Sequence, residues 1–168
     1  ELMVVLAVSA ILLGLASPSR PLGAVKLLVD ATNELVSSLQ LARSEAIKRR
    51  SREVLVRLEW QPLRGRRGLA EGWLVFHEVN NNAALDAGER VIMRRPALPA
   101  GLSLTGNLPV SQYILNSPTG SAKLISGAWQ LGMLILCDAS RQLNAARKII
   151  SSSTGRPRTV KVTLASCS

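Results

Sequence analysis

The feature that most constrains this chain is an apolar segment at its beginning that contains no charged residue. Residues 2–16 read LMVVLAVSAILLGLA, and the uncharged stretch continues to Ser19, before Arg20. A helix that spans a bilayer needs about 20 apolar residues, so the segment is slightly short. The acidic Glu1 stands where a signal peptide would carry basic residues. Hydropathy therefore favours a single-span membrane anchor over a signal peptide.

An amphipathic segment follows the apolar one. Pro18, Pro21 and Gly23 are expected to break or bend the helix between the two. Beyond them, gaps of three, four and seven residues place a set of apolar side chains on one helical face. This face consists of Val25, Leu28, Leu35, Leu39, Ala42 and Ala46. Most charged residues of the segment fall off the face, so we expect the helix to leave the membrane and pack on another layer.

The pattern after Arg52 changes to short runs of β-forming residues separated by turn residues. The predicted strands are 54–59, 72–77, 90–94, 112–115, 129–137, 148–151 and 159–164, and the predicted loops are 62–71, 80–88, 96–109 and 116–127. One helical stripe followed by antiparallel strands that need a cover predicts an α+β fold, with the helix laid on one sheet face. We expect a membrane helix at 1–20, an amphipathic helix at 21–52 and a β-rich domain at 53–168.

Composition limits the chemistry that the chain can perform. Apolar residues make up 47% and aromatic residues 3% of the sequence, so a core exists and is mainly aliphatic. Cys137, Cys167 and His77 are its only thiol and imidazole groups, too few for a structural zinc site. The two cysteines are compatible with a bridge in an oxidising compartment or with two buried thiols. We expect no metal and no cofactor.

One loop superficially resembles a calcium site. Its side-chain oxygens come from Asn80, Asn82, Asp86 and Glu89. An EF-hand loop requires ligands and a glycine at the positions that Ala83 and Ala84 occupy here. Asn and Asp favour turns through hydrogen bonds to their own backbone, so we predict a hairpin turn.

Candidate catalytic residues are few. His77 lies at the end of a predicted strand beside Glu78, with no nucleophile motif nearby, which is typical of a solvated histidine. Asp86 and Glu89 have the composition of an acid/base pair, but nothing in the sequence indicates a pocket around them. We predict that the protein is not an enzyme.

Several motifs together carry a family resemblance. They are the apolar run after Glu1 with Pro18 behind it, L-x-x-A-R-S-E-A-I-K-R at 39–49, G-W-L-V-F at 72–76, N-x-N-x-x-x-D-x-G-E at 80–89, L-C at 136–137 and G-R-P-R at 155–158. The first resembles the mature N-terminus of type IV pilins and type II secretion pseudopilins. The others make the chain similar to the FimT/GspH group of minor pilins and pseudopilins.

The resemblance implies a type IV pilin-like fold, with a long N-terminal helix packed on an antiparallel sheet domain. It also implies a bacterial inner-membrane location with a periplasmic domain, followed by an extracellular pilus in which the partners are other pilins of a tip complex. In that family the glutamate matching Glu1 pairs with the N-terminal amine of a neighbouring subunit and sets the assembly register. In such an oxidising location we expect a Cys137–Cys167 disulfide that closes the C-terminal strands.

Positive charge dominates the sequence, with 21 Lys and Arg against 11 Asp and Glu. The basic clusters are Lys48, Arg49, Arg50 and Arg52; Arg64, Arg66 and Arg67; Arg94 and Arg95; and Arg147, Lys148, Arg156, Arg158 and Lys161. Such clusters commonly do no more than solvate a surface. The last one differs because Gly155 and Pro157 are expected to hold a short turn, so that Arg156 and Arg158 project from a rigid tip. Guanidinium groups suit phosphate oxygens.

In FimT-type pilins the matching G-R-x-R turn is implicated in DNA uptake during natural transformation. The resemblance therefore implies a DNA-binding site at Gly155, Arg156 and Arg158, supported by Arg147, Lys148 and Lys161. Contacts to phosphate predict weak sequence preference and strong salt dependence, and the scarcity of aromatic residues near the turn predicts little base stacking. The alternative is a structural minor pilin or type II secretion pseudopilin that primes filament assembly without binding DNA.

Overall fold

The computed structural model describes residues 20–57, 72–107, 109–138, 145–164 and 167. Glu1, the apolar segment 2–16 and the basic loop with Arg64, Arg66 and Arg67 lie outside the described residues. Within these ranges, no helix is long and apolar enough to cross a membrane.

One helix and nine strands make up the described chain. They are α1 (Arg20–Arg49), β1 (Arg52–Arg57), β2 (Trp73–Glu78), β3 (Val91–Arg95), β4 (Leu102–Gly106), β5 (Tyr113–Asn116), β6 (Ala122–Lys123), β7 (Gly132–Asp138), β8 (Ala145–Ser151) and β9 (Pro157–Thr163). The strands form two antiparallel sheets, which we call sheet 1, in the order β3-β2-β1-β5-β6, and sheet 2, in the order β4-β7-β8-β9. The predicted α+β architecture, a helix packed on antiparallel strands, is confirmed, and the strands form two sheets where one was expected.

Helix α1 covers both sheets with its apolar face. Leu28, Leu35, Leu39 and Ala42 are buried as predicted, and the helix contacts β1, β2 and β5 of sheet 1 and β7, β8 and β9 of sheet 2. Val25 differs, because it is exposed and the buried part of the face begins only at Leu28. These contacts make α1 the layer that the two sheets share.

The interruption predicted at the start of α1 is not found in the described residues. The helix runs without a break through Pro21 and Gly23, while Pro18 lies outside the described residues. Gly23 is exposed and has no neighbouring atom within 4 Å of a built Cβ, so no packing contact depends on it.

Helix α1 ends in a tight reversal. Arg50 adopts a left-handed conformation with φ 52°, the Arg50 N–H donates to the Ile47 carbonyl, and the Ser51 N–H donates to the Ala46 carbonyl at 3.1 Å. This pair of bonds is the Schellman arrangement that caps helix C-termini. The chain therefore turns back at once into β1, which runs along the centre of sheet 1.

The main core lies between α1 and the two sheets. Its buried members are Leu28, Ala31, Leu35, Leu39 and Ala42 from the helix; Trp73, Val75 and Ile114 from sheet 1; Leu104, Leu134, Leu136 and Ile149 from sheet 2; and Val110. The Trp73 indole N–H donates to the Ser38 hydroxyl at 2.9 Å, which satisfies the polar edge of a buried aromatic ring. A smaller cluster on the other face of sheet 1 is formed by Val54, Leu74, Phe76, Ala83 and Leu115.

Two strands lie in segments that the sequence pattern assigned to loops. The density of Pro and Gly around β4 predicts a loop, but the alternating Leu-Ser-Leu-Thr sequence pairs with β7 and buries Leu104. The two-residue β6 exists only through its pairing with β5. The predicted strand at 129–137 begins later, at Gly132, because Trp129 makes only an isolated bridge to Lys123. Pairing with another strand decided these outcomes, at long range for β4 and at short range for β6 and Trp129.

A disulfide joins Cys137, in β7, to Cys167, with the two Cα atoms 6.0 Å apart. The bridge confirms the predicted pairing. It spans 30 residues of sequence and encloses β8 and β9, so it closes the part of sheet 2 that carries the C-terminal basic residues.

We expect the double variant Cys137→Ala/Cys167→Ala to lower the free energy of unfolding by about 3 to 4 kcal/mol. The bridge restricts the unfolded wild-type chain by closing a loop, and the variant regains the conformational entropy that this loop closure removes. Urea unfolding of the variant and the oxidised wild type measures the difference. Wild type in reducing agent is the matched control and should behave like the variant, whereas equal midpoints for all three samples would contradict the prediction.

Candidate nucleic-acid interface

The G-R-P-R sequence forms a tight connection between two paired strands. Strands β8 and β9 pair from Ala145 opposite Thr163 to Ser151 opposite Pro157, and residues 152–156 connect them. The Gly155 N–H donates to the Ser152 carbonyl at 2.9 Å, which closes a turn in which Gly155 has a φ of 69°. We call residues 152–158 the GRPR turn.

The GRPR turn is held against sheet 1 by bonds from two other segments. The Ala122 N–H of β6 donates to the Ser153 carbonyl at 3.1 Å. The Arg43 Nε of α1 donates to the Thr154 carbonyl at 3.2 Å and to the Gly120 carbonyl at 3.0 Å. A helix side chain therefore joins the turn of sheet 2 to the β5–β6 turn of sheet 1.

Gly155 is required by its surroundings. A Cβ at this position would collide with the Gly120 carbonyl oxygen and lie 3.1 Å from the Asn116 Oδ1. Its positive φ is also a conformation that L side chains rarely adopt. The turn and its neighbour approach so closely that only a residue without a side chain fits between them.

The register of sheet 2 divides the predicted basic cluster between two faces. Ile149 is buried against α1, so Arg147, two residues away on β8, and its partner Lys161 on β9 lie on the helix-facing side. Lys148 and Arg158 lie on the outer face, where Arg158 pairs with Ile150. Adjacent strand residues point to opposite sides of a sheet, so Arg147 and Lys148 share no face.

Arg147 and Lys161 line a separate groove at the edge of sheet 2. The groove has a volume of about 270 Å³ and is also lined by Val29, Thr32 and Asn33 of α1 and by Thr159 and Val160 of β9. Lys161 is exposed and Arg147 is half-buried. The two cations therefore flank the edge strand on the side opposite to Arg158.

Arg156 is exposed and opens onto a cleft of about 470 Å³, which we call the Arg156 cleft. The cleft is lined by Arg43, Thr119, Ser121, Trp129, Ser153, Thr154 and Arg156. Trp129 is 56% exposed, and the Lys123 Nζ lies 3.4 Å from the centre of its ring. Few aromatic residues were expected near the turn, and the structure places one of them, the Trp129 indole, at the cleft.

Sequence reasoning missed two residues of this site. Helical periodicity places Arg43 only among the charged residues off the apolar face of the helix. The one sequence signal for a role of Arg43 is its position in the L-x-x-A-R-S-E motif. Trp129 carries no local signal, since it is distant in sequence from Arg156. Its position depends on strand β6, which the sequence pattern did not reveal.

The loop that resembled a calcium site uses its oxygens internally. The buried Glu78 carboxylate accepts backbone N–H groups from Asn81 and Ala83 at 2.7 and 2.8 Å. The Asp86 Oδ2 accepts the side-chain amides of Asn80 and Asn82 at 2.7 and 2.6 Å. The loop connects β2 to β3, as the predicted hairpin turn requires.

His77 is half-buried, with its side chain 35% exposed. Its Nδ1 lies 3.2 Å from the Glu53 Oε1, and Glu53 is fully buried. The Ser51 hydroxyl donates to the same Glu53 oxygen at 3.0 Å, so the serine contacts the carboxylate and these bonds do not form the Ser–His–acid relay of a hydrolase. Burial raises the pKa of the Glu53 carboxyl, and the hydrogen bonds from Ser51 and His77 oppose that rise.

A family model described as type II transport protein GspH matches residues 31–164. No curated protein sequence gives a significant match to the chain.

Two crystal forms of the type IV minor pilin FimU from Pseudomonas aeruginosa match the fold at 17% sequence identity, and each match covers 84% of this chain. The first has a TM-score of 0.64 and covers 95% of the FimU chain, and the second has a TM-score of 0.62 and covers 100% of it. The minor pseudopilin EpsH of the Vibrio cholerae type 2 secretion system matches at 13% identity and a TM-score of 0.56, covering 79% of this chain and 95% of that one. At these identities the likeness concerns the fold.

We expect Glu53→Gln to change how stability depends on pH. The raised pKa of Glu53 means that the folded state favours the protonated carboxyl, so the contribution of Glu53 to stability decreases as the pH rises above about 4.3, the ordinary value for Glu. The neutral amide removes this decrease, and urea unfolding across a pH series measures it.

Glu45→Gln is the control of opposite sign, because hydrogen bonding and charge from Arg49 lower the pKa of Glu45. Relative to wild type, it should lose stability as the pH rises. Identical pH profiles for Glu53→Gln and wild type would refute the assigned cause.

We expect Gly155→Ala to destabilise the protein by more than about 2 kcal/mol, because the methyl group adds a collision with the Gly120 carbonyl to the strain of a left-handed residue. Gly88→Ala is the matched control. Gly88 also has a positive φ, of 96°, but no atom lies near its built Cβ, so only the strain remains. Chemical denaturation compares the two, and equal losses would show that the close approach does not constrain Gly155.

Proposed function

We propose that this chain, which belongs to the GspH family of type II transport proteins, is a minor pilin of a type IV pilus that binds extracellular DNA through its GRPR turn for uptake in natural transformation. Membership of the family makes the protein a minor pilin or pseudopilin of a type IV pilus or type II secretion system, and therefore a structural filament subunit and not an enzyme. Such subunits are located in the inner membrane and then in the filament, where their partners are other pilins.

The N-terminal parts of the chain receive roles consistent with that family. We propose that residues 1–20 form the half of the helix that anchors the subunit and packs in the filament core, and that residues 21–52 form the half that packs on the sheets of the domain 53–168. In the assembled filament, Glu1 would pair with the N-terminal amine of a neighbouring subunit, since a carboxylate beside an apolar helix requires a cationic partner.

The observation that carries the DNA-binding proposal is that Arg156 is exposed on a turn held from several sides. Arg43, Ala122 and Gly120 contact the turn backbone, so binding need not order the segment that presents the guanidinium. Preorganised groups lose little conformational entropy on binding. Arg158, two residues further on, is exposed at the start of β9 and extends the cationic surface onto the outer face of sheet 2.

The distribution of charge supports a polyanionic partner. Residues 139–168 contain six basic residues and no acidic residue. Lys148 shares the outer face with Arg158, while Arg147 and Lys161 lie on the other side of the sheet. Because β9 is the edge strand of sheet 2, a duplex that lies along this edge could meet Arg158 on one face and Lys161 on the other. Phosphate contacts of this kind carry no base information.

The affinity of a single subunit should be modest. Binding to phosphates is driven largely by the release of counterions, so the affinity falls steeply as the salt concentration rises. A filament that carries several such subunits would gain affinity through effective concentration, without any new contact.

We expect Arg156→Gln/Arg158→Gln to abolish most DNA binding and to flatten its salt dependence. Each phosphate contact contributes about 0.9 to the slope of log affinity against log salt on duplex DNA, so the slope should become shallower by about 1.8. Fluorescence anisotropy of a labelled duplex with the full chain, purified in non-ionic detergent, measures the slope between about 50 and 200 mM salt.

Arg90→Gln/Arg94→Gln is the charge-matched control. Both arginines are exposed, and they lie at β3, the edge of sheet 1 opposite to the β6 edge that contacts the GRPR turn. This variant should bind almost as wild type does. Equal weakening by the two variants would show generic electrostatic attraction. Absence of wild-type binding near physiological salt would favour the alternative function, a structural pseudopilin or minor pilin that primes assembly, which the family description also fits.

A further inference from the structure

We infer that the Arg156 cleft holds an unpaired nucleobase stacked on Trp129, so that the protein binds single-stranded DNA in preference to blunt duplex. This inference rests on the proposed DNA-binding function and specifies the form of DNA that the same site takes. It begins from an indole that is 56% exposed beside the GRPR turn, whereas Trp73 is buried in the core.

The Trp129 ring is held in position by its surroundings. Trp129 bridges to Lys123 across a turn that is closed by the Leu124 N–H to the Ala128 carbonyl and the Gly127 N–H to the Leu124 carbonyl, both at 2.8 Å. The Lys123 ammonium lies over the ring at 3.4 Å. Because this cation lies over one face of the ring, a further flat group would stack on the other face. An indole fixed in this way is a platform on which a flat aromatic group can stack.

The walls of the cleft match the other parts of a nucleotide. The cleft volume of about 470 Å³ is within the range of ligand pockets, about 300 to 1,000 Å³. Thr119, Ser121, Ser153 and Thr154 also line it. The Thr119 and Ser121 hydroxyls bond to each other and the Thr154 hydroxyl bonds to Ser152, and a hydroxyl that donates one bond can still accept another from a base edge. Arg43 uses its Nε for the Gly120 and Thr154 carbonyls, and the two terminal nitrogens of its guanidinium take no part in those bonds.

The positive charges around the indole favour a nucleotide over a neutral sugar, which could also stack on tryptophan. Lys123 lies on the ring, and Arg43 and Arg156 line the same cleft. A ligand that places an aromatic plane on Trp129 and a phosphate beside Arg156 uses both features. A continuous strand would then carry its next phosphates toward Arg158, along the edge of sheet 2.

The strand must be unpaired for this arrangement to form. In a duplex both faces of each internal base are covered by its neighbours, and exposing a face to a protein aromatic requires unstacking or flipping of the base. A single strand presents its bases freely, and stacking on aromatic side chains is largely independent of sequence. Duplex DNA would contact Arg156 and Arg158 alone, and Trp129 would add nothing to its affinity.

The test compares a labelled dodecamer of thymidine with a blunt duplex of the same length, using the full chain in non-ionic detergent. Trp129→Ala should weaken binding of the single strand by about 5- to 100-fold, the effect of losing one stacked base. It should leave duplex affinity unchanged. The salt slope for the single strand should also be unchanged, because an indole makes no phosphate contact.

Two further variants isolate the aromatic ring. Trp129→Phe keeps a stacking surface and should recover most of the single-strand affinity. Leu131→Ala truncates a neighbouring side chain that is 59% exposed and should change nothing. Titration with the dodecamer should also quench wild-type tryptophan emission, and this quenching should disappear in Trp129→Phe, which retains Trp60 and Trp73.

The outcomes separate the inference from the proposed function. Equal loss of single-strand and duplex affinity in Trp129→Ala would show that Trp129 only supports the turn, and would overturn the inference. Normal single-strand binding by Trp129→Ala, together with duplex binding that depends on Arg156 and Arg158, would overturn the inference and leave the proposed function standing. Absence of any DNA binding by wild type would reject both.

Discussion

Burial of the apolar face of α1 holds the two sheets of this protein together. Sheet 1 and sheet 2 share no strand, so the ladders within each sheet do not join one sheet to the other. Leu28, Leu35 and Leu39 pack against side chains from both sheets in one core, and burying each such side chain contributes about 1.5 to 3 kcal/mol. The helix therefore decides how the two sheets sit together, and their meeting point is where the GRPR turn is found.

Arg43 extends this control from the core to the surface. Its guanidinium donates to one carbonyl from each sheet, and the same junction buries Gly155 against Gly120 while leaving Arg156 exposed. Rigidity and exposure come from the same contacts, because the backbone of the turn faces inward and its arginine faces outward. The exposed Trp129 and Lys123 of sheet 1 lie at this junction as well. Phosphate contacts and base stacking would thus be supplied by different sheets, and a site using both exists only when the sheets are assembled.

Local patterns succeeded where local physics decides the structure. The buried face of α1 from Leu28 to Ala46 follows from helical periodicity. The Cys137–Cys167 bridge is a long-range contact, and it was predictable because the sequence has only these two cysteines. The division of Arg147 and Lys148 between two faces also follows from strand alternation, although the cluster was predicted as one group. Prediction failed at β4, whose partner β7 is distant in the chain. It also failed at β6 and Trp129, whose short-range pairings form in a segment where turn residues favour a loop.

Sequence patterns alone predict the α+β class, the amphipathic helix, the family, and the presence of a Gly-Arg-Pro-Arg turn between two strands. These depend on short-range spacing and on motifs that lie in continuous segments. The packing of the folded chain establishes which cations share a face, that Arg43 holds the turn, and that an exposed indole lies beside Arg156. These spatial arrangements arise when one helix brings two separately paired sheets together. A contact between distant segments depends on the packing of the whole domain, so no single stretch of residues predicts it.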